Sequence, residues 1–83
     1  MLVDVYRSSR KALMYLYLPK GSVFEELPPE LRQGFGHPEL ALSLNLTADR
    51  KLARYDGRYV LQEIADRGFF LQLPPAEGDK DTC

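Results

Sequence analysis

The sequence predicts a small α+β fold, an α/β/α-type sandwich in which helices pack on an antiparallel or mixed sheet of about four strands. Three observations point there. Two runs of period-two alternation, Leu2–Tyr6 and Leu13–Leu18, flank a short polar loop. Two more alternating runs, Leu40–Leu46 and Phe69–Leu73, follow later. Between them lie segments whose apolar residues recur every three or four positions, the spacing of a helix face.

The first two runs read as an antiparallel hairpin around Arg7–Lys11. Placing Tyr6 opposite Leu13, Val5 opposite Met14 and Val3 opposite Leu16 makes one face aliphatic. The other then carries Tyr6, Tyr15 and Tyr17, with Asp4 among them. A carboxylate there must reach solvent or accept hydrogen bonds, because an unpaired buried charge is too costly. Pro19 and Gly21 end the second strand. Ser22 and Glu25 have capping-box spacing for a short helix that Pro28 must stop. Pro29 to Gln33 predicts a further turn or two of helix, closed by Gly34. Phe24, Leu27, Leu31 and Phe35 form one apolar stripe across the break.

The alternating leucines at 40, 42, 44 and 46 predict a strand with one face in the core. Thr47–Arg50 is a turn, and Lys51–Tyr55 is too short to assign. Asp56 is placed to cap a helix carrying Val60, Leu61, Ile64 and Ala65 on one side and stopping at Gly68. Phe69–Leu73 is the last strand, ended by Pro74 and Pro75.

Length and composition bound the rest. Eighty-three residues suffice for one domain, expected over 1–75, with a disordered acidic tail over 76–83. Eleven Lys and Arg against 12 Asp and Glu leave a net charge of −1, so bulk charge does not argue for nucleic acid or membrane. The chain has no run of 18 apolar residues and no leader with an apolar core, and its one cysteine is Cys83; a cytoplasmic location is expected. One His and one Cys exclude a disulfide framework, and a zinc site would have to draw ligands from Asp, Glu or another chain.

No catalytic constellation is visible. His37 is the only imidazole, in a glycine-flanked connection, and Ser8 and Ser9 have no resident base. Gly34-Phe35-Gly36 lacks the lysine and donor run of a phosphate loop. The charge is segregated, however. Arg7, Arg10 and Lys11 crowd one loop, and Arg50, Lys51, Arg54 and Arg58 crowd another, with acidic residues between. If these loops converge, they could hold phosphates, with Ser8 and Ser9 adding donors. Tyr6, Tyr15 and Tyr17 would make a stacking platform on an open sheet, or core rings in a sandwich.

Several short stretches together resemble one family. They are Tyr6-Arg7-Ser8-Ser9-Arg10-Lys11, Tyr15-Leu16-Tyr17, Pro29-Glu30-Leu31, Gly34-Phe35-Gly36, Pro38-Glu39-Leu40, Arg50-Lys51-Leu52 and Gly68-Phe69-Phe70-Leu71-Gln72-Leu73-Pro74-Pro75. In that order and spacing they resemble the YcgL-like bacterial domain family over about residues 3 to 75. The resemblance implies a small cytoplasmic α/β/α sandwich and carries no activity, cofactor or catalytic residue. Family genes that lie near the one for ribonuclease D imply a link to RNA metabolism.

The expected function is therefore a non-enzymatic, cofactor-free accessory module that engages a protein partner. The alternative is weak RNA binding through Arg7, Ser8, Arg10, Lys11, Arg50, Lys51 and Arg54.

Overall fold

The computed structural model describes residues 1–52 and 55–74. Arg54 and the expected tail over 76–83 lie outside them. The strands are β1 (Leu2–Arg7), β2 (Tyr15–Pro19), β3 (Glu39–Asn45) and β4 (Phe70–Gln72). A 3₁₀ turn, Phe24–Glu26, and helix α1, Pro29–Phe35, separate β2 from β3; helix α2, Gly57–Arg67, separates β3 from β4. The sheet order is β3-β1-β2-β4, and all three pairings are antiparallel. The hairpin thus occupies the centre, and β3 and β4 form opposite edges, with α2 as the connection between them.

Each face of the sheet has its own cluster. On one, Val3, Val5, Tyr17 and Phe70 pack under Val60 and Ile64 of α2. On the other, Met14, Leu16 and Leu18 pack against Phe35, with Phe24, Leu27 and Leu31 alongside. The stripe expected across the Pro28 break is therefore real, and it seals the second face. Full burial of a Leu or Phe side chain contributes roughly 1.5–3 kcal/mol. The α+β sandwich is as expected, with an antiparallel sheet.

The hairpin register differs from the expected one. Val3 pairs with Pro19, Val5 with Tyr17, Tyr6 with Leu16 and Arg7 with Tyr15. The turn is longer than the polar run suggests. It consumes Leu13, which has a left-handed φ of 65°, and closes with a Ser8 N–H to Met14 O bond of 3.0 Å. The resulting slip is of three residues, an odd number, so it exchanges the faces that meet. Tyr15 and Tyr17 lie with Val3 and Val5 beneath α2, whereas Tyr6 lies on the opposite face with Leu16. The three tyrosines do not form one platform. Tyr17 is buried, and Tyr6 and Tyr15 are half-buried. Asp4 accepts a 2.6 Å bond from the Ser43 hydroxyl and stands 3.8 Å from Lys20 Nζ.

Three further expectations change. The Ser22–Glu25 capping box does not form: Val23 rather than Ser22 is the cap residue of the 3₁₀ turn and makes no side-chain cap bond, and Ser22 N–H closes a turn onto Pro19 O around Gly21. α1 runs through Gly34 to Phe35 and stops at Gly36, whose φ of 80° suits glycine. Finally, β3 is an edge strand and mostly exposed, with Leu40 and Leu42 at 58% and 48% exposure. An irregularity between Val5 and Tyr6 pairs Val5 with Leu42 but Tyr6 with Leu40, so the two leucines take opposite faces.

Candidate functional site

The basic loop after β1 is held by its serines. Ser8 is 7% exposed. Its hydroxyl accepts bonds from the backbone N–H groups of Arg10 and Lys11 at 3.0 and 3.1 Å and donates to Phe35 O at 2.5 Å. Ser9 Oγ accepts from the His37 N–H at 2.7 Å. Gly36 lies directly under this loop, and a Cβ there would collide with Ser9 Oγ and Arg10 Cγ. The expectation that Ser8 adds a donor for phosphate is therefore corrected; Ser9 is exposed, and its bond from His37 does not use its hydroxyl proton. The Ser8 hydroxyl and the Arg10 and Lys11 amides are consumed in docking the loop onto the end of α1, and the exposed Arg7, Ser9, Arg10 and Lys11 side chains are its outward chemistry.

The described basic residues of the two loops, Arg7 and the Arg50–Lys51 pair, lie towards opposite ends of β1. Arg7 ends β1 beside Glu39, with an ion pair of 3.5 Å between exposed side chains. At the other end of the strand Leu2 pairs with Asn45, from which the chain continues to Arg50 and Lys51. The ends of β1 are roughly 17 Å apart along the strand. That is about two Debye lengths at physiological salt, so the clusters act as separate fields. Arg50 and Lys51 are exposed at a turn in which the Thr47 hydroxyl donates to Asp49 at 2.7 Å. That bond lowers the Asp49 carboxyl pKa.

Sequence reasoning missed a different feature. A groove of about 560 Å³ wraps the free edge of β4, with Leu31 of α1 on one side, Tyr59 of α2 on the other, and Phe69 and Leu71 between. Its floor is an aromatic cluster centred on Phe70, which meets Tyr17, Tyr55 and Tyr59 edge-on at 5.6, 5.0 and 5.7 Å. Tyr55 and Tyr59 stack at 5.8 Å, and the rim carries a Glu63–Arg67 ion pair of 3.2 Å. Tyr59 is half exposed, at 49%. Tyr59 lies in the first turn of α2 but Tyr55 precedes its cap residue Asp56, so helical spacing in the sequence does not mark the two rings as neighbours.

Among the described residues, no group of three or more His, Cys, Asp or Glu side chains could hold a metal ion, and no helix is long and apolar enough to cross a membrane. His37 is exposed, and its backbone, bound to Ser9, is what ties it to the fold.

Comparison with known proteins supplies the family. The sequence model of the YcgL domain matches residues 3–75. A YcgL domain-containing protein of Saccharophagus degradans is 44% identical over 75 residues, covering 90% of this chain and 82% of the relative. Protein YcgL of Escherichia fergusonii is 43% identical over 79 residues, or 95% of this chain and 81% of its own. A relative in Thioalkalivibrio sulfidiphilus is 47% identical over 75 residues, covering 90% and 93%. With the family's sequence pattern running through the hairpin, both helices and all four strands, the chain belongs to the YcgL domain family.

Proposed function

We propose that this domain is a non-catalytic accessory module of the cytoplasm that binds a protein partner through the aromatic groove at β4. The observation that carries the reading is the half-exposed Tyr59 at a groove walled by Leu31, Phe69 and Leu71 and rimmed by Arg67. Tyrosine and arginine at a concave apolar surface are the residue types that dominate protein-binding hot spots. The lone cysteine fits a reducing compartment.

The test is site-specific photo-crosslinking in cells, with a photoreactive phenylalanine at position 59 and, as controls, at Glu26 and Arg10 on other surfaces. A discrete protein adduct from position 59, absent from both controls, is expected. Equal labelling from all three positions would overturn the reading. So would turnover of nucleotide, ester or RNA by the purified protein that a single substitution abolishes.

The nucleic-acid reading through Arg7, Ser8, Arg10, Lys11, Arg50, Lys51 and Arg54 draws less support. Arg7 and the turn that carries Arg50 and Lys51 sit at opposite ends of β1, and Ser8 is already engaged.

A further inference from the structure

The face of the sheet beneath α2 is not wholly covered. Towards the hairpin turn a depression of about 260 Å³ remains, floored by Val5, Ala41 and Leu42 and edged by Arg7, Tyr15 and Gln72. The register puts these side chains together: Val5 lies between Tyr17 and Leu42, Arg7 faces Tyr15, and Tyr15 faces Gln72. It is distinct from the groove at β4, and nothing about it depends on the partner-binding reading.

The polar groups at its edge are donors. The Tyr17 hydroxyl donates to Gln72 Oε1 at 3.2 Å, which leaves the Gln72 NH₂ as the free end of that amide. Glu39 stands 3.5 Å from Nε of Arg7, whose guanidinium side chain is half exposed. Tyr15 adds a phenol hydroxyl. Arg7 is the one charged residue in the lining. Several donors and one positive charge beside an apolar floor call for an acceptor-only anionic group carried on an apolar body. The volume lies below the roughly 300–1,000 Å³ of drug-sized sites, so the body is about one ring.

We infer that this depression binds a small free organic carboxylate, its apolar body on Val5, Ala41 and Leu42 and its carboxylate on Arg7, Tyr15 and Gln72. Glu39 is the internal competitor for Arg7. Its removal should favour the ligand, whereas removal of Arg7 should not.

The test is an amide-detected NMR titration of the full chain with phenylacetate and with its neutral isostere, phenylacetamide. Phenylacetate is expected to shift Val5, Arg7, Tyr15, Leu42 and Gln72 saturably at millimolar concentration, with the amide weaker by about tenfold. Arg7→Gln, at an exposed position, should weaken phenylacetate by about tenfold, and Glu39→Gln should tighten it about two- to fivefold. Equal binding of acid and amide, shifts confined to other surfaces, or indifference to Arg7→Gln would overturn the inference. Binding of a short peptide ending in a phenylalanine carboxylate, with phenylacetate inert, would also overturn it by assigning the depression to a partner's C-terminus.

Discussion

The Ser8 hydroxyl donates its proton to the carbonyl oxygen of Phe35, 27 residues away in sequence and 2.5 Å away in space. Through that bond the turn of the central hairpin is fastened to the end of α1, the helix that closes one face of the sheet.

Replacing Ser8 with Ala should therefore do more than a surface change. It strips the Phe35 carbonyl of this partner and leaves the Arg10 and Lys11 amides without their acceptor, at a site nearly closed to water. A loss of about 2 kcal/mol is expected for such a buried set. Ser9→Ala, at an exposed position, should cost less. Urea unfolding midpoints of the two variants check the ranking.

Two glycines should respond oppositely to alanine. Gly57 donates to Arg50 O at 2.7 Å, and a Cβ there would run into the Thr47 carbonyl, so Gly57→Ala must displace the 47–50 turn or the start of α2. A loss of several kcal/mol, up to failure to fold, is expected. Gly34 lies within α1 with open space around its Cβ position. Gly34→Ala should stabilise by roughly 0.5–1 kcal/mol. Thermal melts of both proteins decide it.

Tyr17 couples the fold to high pH. Burial, and then the neighbouring Tyr15 and Tyr55 phenols, raise its pKa above the ordinary tyrosine value of 10.0. The native state thus holds this proton more tightly than the unfolded chain does. The Tyr17 contribution is fully present below pH 10.0 and is lost as pH rises through the folded pKa. Urea midpoints taken across the alkaline range should fall less steeply in Tyr17→Phe than in the parent.

The separation of the basic clusters sets a limit on RNA affinity. A single strand contacting only Arg7, Arg10 and Lys11 should show a log–log salt slope of about −2. A strand held by both clusters would approach about −4. Anisotropy titrations over a range of salt should return the shallower value, with any association weak.

Much of the fold is legible in the sequence because its signals are local. Alternation marks all four strands, Pro28 marks the break in the helical stripe, and Gly68, with a φ of 87°, stops α2 where its basic last turn predicts. The hairpin register is not legible, because the polar run suggests a shorter turn than the one Ser8 builds with Met14 and Phe35. The leucines of β3 suggest a core strand, but alternation cannot show whether a strand has a neighbour on both sides. The basic residues stand out by composition, yet whether two loops meet depends on strand order. No local pattern marks the groove, because its walls come from Leu31, Tyr59, Phe69 and Leu71, which are scattered along the chain.

By itself, then, the sequence determined the class of fold, the kinds of elements and the family, since these rest on periodicity, breakers and short ordered motifs within a few residues of one another. Tertiary structure alone decided that Tyr15 and Tyr17 turn towards α2, that Arg7 and Arg50 lie at opposite ends of one strand, and that Phe70 gathers three tyrosines. Those outcomes depend on register, strand order and helix placement. Each is set by contacts between residues far apart in the chain, where the loss of chain entropy is offset only when the whole sheet forms.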